Sequence, residues 1–197
     1  MNMKIVIATK NKGKLREFER MLAPIGYEVL SAQEAGFTDE IEENGVTFAE
    51  NAAIKARTIC NSLGIAAIGD DSGICVDALG GAPGVYSARY AGDGHDDEAN
   101  IKKLLKNMRD VPDDERSAHF ECAIVCAFPD GREICAVGRC DGSILHEKKG
   151  DGGFGYDPIF AVSGGRSFSE LSAEEKDKLS HRGKALRELL KKLTIDN

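Results

Sequence analysis

Lys4-Ile5-Val6-Ile7-Ala8-Thr9-Lys10-Asn11-Lys12-Gly13-Lys14 stands close to the start of the chain and changes character halfway along. Its first half is a nearly unbroken apolar run rich in Ile and Val, the pattern of a strand covered on both faces. Its second half is polar and carries a glycine. Behind it Leu15, Phe18 and Leu22 keep helical spacing until Pro24 and Gly26 stop the helix. A buried strand, a polar turn and a helix, in that order, predict an α/β fold.

The same grammar continues downstream. Thr47-Phe48-Ala49-Glu50 has the form of a capping box, in which Thr47 and Glu50 each satisfy a free N–H at a helix start. Ala52, Ala53, Ala56, Ile59, Cys60 and Leu63 then form an apolar stripe that ends at Gly64, a C-cap residue. Residues 65–68 read as a second buried strand, with Gly69-Asp70-Asp71-Ser72-Gly73 at its exit. Residues 96–108 predict a helix on Ile101, Leu104, Leu105 and Met108. Further on the period changes to two. Phe120, Cys122, Ile124, Cys126 and Phe128 share one face of a strand, Pro129-Asp130-Gly131-Arg132 makes a turn, and residues 133–139 return as its partner. Residues 172–193 read as a helix with Ala185, Leu186, Leu189, Leu190 and Leu193 facing inward. The expected architecture is a mixed β-sheet flanked by helices, in a single domain over residues 1–197.

Composition narrows the function classes. With 197 residues, 42% apolar and 30% charged, the chain can bury a core without staples. Its longest apolar stretch, residues 122–128, is too short to cross a bilayer, and no signal-peptide core precedes Lys10, Lys12 and Lys14. The net charge of −7 argues against stable nucleic-acid binding. Six cysteines without tight pairing read as reduced thiols of a cytoplasmic protein, and no C-x-x-C spacing suggests zinc. Cys126 and Cys135 are expected to face each other across the hairpin as small apolar residues.

Four features carry chemistry. Asp70-Asp71 places two carboxylates where a buried strand ends, which is unfavourable unless a cation or donors offset them. A hard cation such as Mg²⁺ suits the pair; the alternative is a solvated turn capped by Asp71 and Ser72. The turn containing Lys10, Lys12, Gly13 and Lys14 offers helix-start N–H groups and ammonium groups to a phosphate chain, although it is not a Walker A loop and also fits a solvated face. Residues 150–158 contain a formal G-x-G-x-x-G, but Pro158-Ile159-Phe160 looks extended where a dinucleotide fold needs a helix. There Phe154 or Tyr156 is placed to stack on a nucleobase and Asp157 to read its edge, the alternative being a tight loop of core aromatics. Finally, His181 and Arg182 follow Ser180 at a helix start, with Lys176 one turn earlier. Two cations there oppose the macrodipole unless an acceptor-rich ligand is present. No nucleophile elbow G-x-S-x-G occurs.

Taken together and in order, these motifs resemble the inosine triphosphate pyrophosphatase family, enzymes of deaminated purine nucleotides, and within it a bacterial branch acting on dITP and XTP. The resemblance rests on residues 9–14, 43–52 with Lys55, 70–73, 80–90, 152–160 and 180–182, and so covers essentially the whole chain. It implies an elongated α/β fold with a long mixed sheet, two lobes around a nucleotide-binding cleft, Mg²⁺ dependence, a small-molecule nucleotide substrate and a homodimer. It implies that Thr9, Asn11 and Lys14, with Lys10, Lys12 and Gly13 in the same turn and Lys55 nearby, bind the triphosphate. Glu43 and Asp71, with Asp70, would hold Mg²⁺, Glu42 being the alternative to Glu43. Asp71 would accept the proton of the attacking water and Ser72 would contact substrate. Phe154, Gly155, Tyr156, Asp157, Lys176, His181 and Arg182 would surround the purine.

The implied reaction is hydrolysis of ITP, dITP and XTP to the monophosphate and pyrophosphate, which keeps them out of DNA and RNA precursor pools. Such a reaction needs charge neutralisation on phosphoryl oxygens more than a covalent nucleophile, so the acidic pair and the basic turn should be halves of one site. Two rival readings use the same residues: a nucleotide sensor without hydrolysis, and a pyrophosphatase for pyrimidine or modified nucleotides.

Overall fold

The computed structural model describes residues 3–195. The opening stretch folds as read. β1 (Met3–Ala8) is followed by α1 (Lys12–Leu22), with Asn11 as N-cap and a short 3-10 turn (Ala23–Ile25) that closes on Gly26 in the left-handed region. A strand that the sequence reading did not foresee comes next, β2 (Tyr27–Ser31). It lies at the end of the sheet and is only half-buried, so its residues show neither a clean alternation nor a buried run.

α2 (Phe48–Leu63) starts at the complete Thr47/Glu50 capping box and ends on left-handed Gly64, both as expected. β3 (Ala67–Val76) corrects the reading of the acidic segment. The strand does not end before Gly69-Asp70-Asp71-Ser72-Gly73 but runs through it. A pair of carboxylates mid-strand looks like a terminator only while their lysine partners, far away in sequence, are out of view.

α3 (Asp97–Asn107) carries Asp96 as its N-cap. The hairpin β4 (Ser117–Ala127) and β5 (Glu133–Ile144) follows; β5 is five residues longer than expected at its C-terminal end. β6 (Phe160–Ala161) is a two-residue strand after the glycine-rich loop; of the segment read as extended only Phe160 is so, because Asp157–Ile159 forms a short 3-10 turn, and no α-helix opens within the loop. The single C-terminal helix expected from 172–193 is two, α4 (Ala173–Leu179) and α5 (His181–Ile195), because Ser180 is extended at ψ 157°.

The sheet is mixed, with order β2-β1-β3-β4-β5-β6; β1 is parallel to β2 and β3, and β5 is antiparallel to β6. The chain forms two compact units. Unit 1 is Met1–Asp71, Cys122–Gly138 and Lys184–Asn197; unit 2 is Ser72–Glu121 and Arg139–Gly183. Each has its own core. Unit 1 packs Ile5, Ile7, Phe18, Ile68, Ile124 and Leu186, and unit 2 packs Ile74, Leu104, Phe120, Ile144, Phe160 and Phe168. Cys126 is buried and Cys135 exposed, so the two do not meet as small core residues in the way the hairpin pattern suggested. No helix among the described residues is long and apolar enough to cross a membrane.

Candidate functional site

In unit 1 the turn after β1 organises itself first. Asn11 Oδ1 accepts from the amides of Gly13 and Lys14 at 2.8 and 3.0 Å, and Thr9 Oγ1 accepts from the Asn11 amide at 3.1 Å. Two helix-start amides expected to face a phosphate are therefore held by Asn11 here. Lys12 is exposed, and Lys10 makes only a solvent-exposed pair with Glu40, of small energetic weight. Lys14 differs. Its ammonium lies 2.5 Å from Asp70 Oδ1, with the Lys14 side chain 16% exposed and that of Asp70 fully covered. The Cys122 thiol donates to the other oxygen of Asp70 at 2.9 Å.

α2 supplies the next layer. Asn51 and Lys55 are four residues apart and share one helix face. Lys55 Nζ lies 2.7 Å from Glu43 Oε2 and 3.5 Å from Asp71 Oδ1, while Asn51 Nδ2 donates to Asp71 Oδ2 at 3.1 Å. The other end of Asn51 accepts from the Gly45 amide, which ties the 43–46 segment to the helix. Glu43 is the acid that meets Lys55, whereas Glu42 is exposed.

Close approach of helix and strand depends on Gly69. A Cβ there would come within 1.9 Å of the Ala52 carbonyl oxygen. Asp70 and Asp71, being consecutive in β3, project to opposite faces and have different partners. Among the described residues no group of three His, Cys, Asp or Glu side chains is gathered around either of them.

Charge balance around Asp71 follows. Burial pushes its carboxyl above the usual carboxylate range and Glu43 adds to this; Lys55, Lys14 and the Asn51 hydrogen bond pull the other way without prevailing. At Lys55 burial opposes the charged form, yet the carboxylates of Asp71 and Glu43 outweigh it and hold the ammonium above its ordinary value. Glu43 and Asp71 already share one cation, and their hard oxygen donors match Mg²⁺, which takes one or two carboxylates and completes its shell with water and phosphate oxygens.

Unit 2 carries the aromatic and cationic residues. Asp157 is buried; its Oδ2 accepts from Lys176 Nζ at 2.6 Å and from the Phe154 amide at 2.9 Å. Lys176 lies 4.5 Å from the Phe154 ring centre, and the Arg182 guanidinium 5.9 Å from it. Arg182 Nη2 donates to Ser72 Oγ at 2.8 Å, and the His181 ring stacks on Phe120 at 4.6 Å.

Two details depart from the sequence reading. Tyr156 is in the core, its hydroxyl donating to the Ser87 carbonyl, so only Phe154 of the aromatic pair stays partly open. The amide of Gly155, a residue expected beside the purine, donates to Asp97 at the start of α3. Asp157 holds Phe154 and Lys176 in place, and this internal task accounts for the burial of its carboxylate.

Three contributors were missed. Asn51 was legible from its i,i+4 relation to Lys55. Cys122 and Asp97 had no local signal, since β4 and α3 reach their partners only through the tertiary fold.

Comparison with known proteins places the chain in a family. The Ham1 family model matches residues 5–192. The dITP/XTP pyrophosphatase of Bacillus licheniformis is 52% identical over 186 residues, covering 94% of this chain and 95% of that protein. The one from Desulforamulus reducens is 53% identical over 198 residues, with 98% of each covered. Among solved structures, a HAM1 protein from Coxiella burnetii superposes with a TM-score of 0.87 at 40% identity, covering 98% of each chain. A nucleoside-triphosphatase / dITP/XTP pyrophosphatase from Mycobacterium abscessus gives 0.76 at 45% identity, covering 97% of this chain and all of that one. With likeness of sequence and of backbone running from one end to the other, the chain belongs to the Ham1 family.

Proposed function

We propose that the protein hydrolyses deaminated purine nucleoside triphosphates, ITP, dITP and XTP, to the monophosphate and pyrophosphate with Mg²⁺. The observation that carries this reading is the convergence in unit 1 of Lys14 and Lys55 on the consecutive acids Asp70 and Asp71. The names of the relatives point to dITP and XTP.

The ammonium groups of Lys14 and Lys55 take the triphosphate, and Thr9 and Asn11 orient it. Glu43 and Asp71 hold Mg²⁺, which when bound neutralises charge on the phosphoryl oxygens. Asp71 accepts a proton from water as its oxygen attacks the α-phosphorus, the bond to the bridging oxygen breaks, and pyrophosphate departs. The purine stacks on Phe154, and Arg182 donates to the 6-oxo group that adenine lacks. An adenine there leaves a buried donor unpaired, at about 1–3 kcal/mol.

The test is pyrophosphate release from dITP, dATP and dGTP, each with and without EDTA. dITP should be hydrolysed faster than dATP, and EDTA should stop the reaction. Equal rates for the three bases overturn the base assignment, and persistence in EDTA overturns the metal assignment.

A further inference from the structure

One groove is lined by none of the residues placed in the nucleotide site above. It is about 750 Å³ in volume, within unit 2, along α3 and the segment that follows β5. Its floor includes Ile101, Leu105 and Met108, while its cations are Lys102, Lys106, Arg109, Arg116 and Lys148 against only Asp96 and Glu98 as lining acids.

In a chain of net charge −7, so positive a groove is a local inversion. The two acids are both engaged. Asp96 caps the Ala99 amide, and Glu98 is paired with Lys148. The side chains of Lys102, Lys106 and Arg109 make no ion pair among the described residues. Lys102 and Lys106 are one helical turn apart and share a face of α3.

Arg116 adds a charge that cannot rotate away. It is 3% exposed, and its guanidinium donates to the carbonyls of Ile144, Met108, Val111 and Leu145 at 2.7–3.2 Å. These are dipoles and not counter-charges, so the guanidinium keeps its full positive charge beneath the groove. Asp113, the carboxylate that acts on it, is itself engaged by His146 at 2.6 Å.

From this combination we infer that the α3 groove is a second anion site, taking a phosphate ester with a flat apolar group, the chemistry of a free nucleotide. The cations meet the phosphate and the apolar floor meets the flat group. A volume near 750 Å³ is in the range of small-molecule sites. The inference does not depend on the substrate assignment made above, because it shares no residue with it.

The experiment is a titration of the ¹⁵N-labelled protein with ADP in EDTA, followed through backbone amides. Saturable shifts are expected at residues 98–109 and 146–148. They should be weaker with inorganic pyrophosphate, which lacks the apolar group. In K102A/K106A/R109A the groove response should weaken by about tenfold or more, while residues 9–14 respond to ADP as in the parent and dITP hydrolysis is unchanged. Absence of saturable groove shifts overturns the inference, as does the same response to sodium chloride at matched ionic strength. Groove shifts with a short single-stranded DNA but none with ADP overturn it in favour of a polymeric ligand.

Discussion

Burial disfavours the charged form of Asp71, and the cost falls on the fold. A carboxyl whose folded pKa is raised binds its proton more tightly folded than unfolded. Its contribution to stability is therefore lost as pH rises through the interval between the unfolded and folded values. Asp71→Asn should leave the melting temperature of the metal-free protein near pH 8 unchanged or higher, since Lys55 keeps Glu43 at 2.7 Å. Turnover should fall by roughly 10²–10⁴-fold, as expected for loss of a general base; wild-type turnover removes Asp71 from that role. Asp70 behaves differently because its partner is an ammonium buried with it. Removing one partner of such a pair costs about 3–5 kcal/mol, and with Lys14 still 16% exposed the lower end applies. Asp70→Asn should thus lower the melting temperature and raise the KM for nucleotide, with the Mg²⁺ dependence of the rate unchanged. A shifted Mg²⁺ requirement would return Asp70 to the metal site. The cysteines separate as sharply. Burial, helped by Cys60, pushes the Cys126 thiol up to about 12 against the lowering by Arg132, whereas Cys135 is exposed. A thiol reagent at pH 8–9 followed by peptide mass analysis should find Cys135 modified first and Cys126 intact.

At the level of elements, the residue cluster of each unit depends on a helix placed by a glycine. α2 lies close enough to β3 for Asn51 and Lys55 to reach Asp71 because Gly69 has no Cβ. The joint between α4 and α5 is equally tight, since a Cβ on Gly183 would sit 1.8 Å from the Asp177 carbonyl oxygen. Gly183→Ala must open that joint, and overpacking of this kind costs about 1–3 kcal/mol. Because Arg182 is the preceding residue, its hold on Ser72 loosens as well. The variant should melt lower and show a reduced ratio of dITP to dATP hydrolysis; an unchanged ratio in a folded variant removes Arg182 from base selection. The helix boundaries were legible because capping is local: Thr47, Glu50 and Gly64 announce α2 within its own residues. β2 and the full length of β3 were not. An edge strand need not alternate, and the charges inside β3 are balanced by residues 14 and 55.

For the molecule as a whole, charge is distributed against its average. The chain is acidic at −7, yet its basic turn lies against buried carboxylates in unit 1 and its α3 groove is positive in unit 2. Such local inversions are what anionic ligands of an acidic protein require. By itself the sequence determined the α/β class, the helix caps, the core stripes and the residue types of a phosphate-and-purine chemistry, because each is written in spacings of a few residues. Only the tertiary structure decided that Asp70 and Asp71 part company across a strand, and that Lys14 belongs to one and Lys55 to the other. It also decided that Tyr156 is core while Phe154 stays partly open, and that Arg116 is a buried charge held on carbonyls. The physical reason is common to all of them. A buried charge or ring is defined by the partner that satisfies it, and here those partners are brought together from distant parts of the chain.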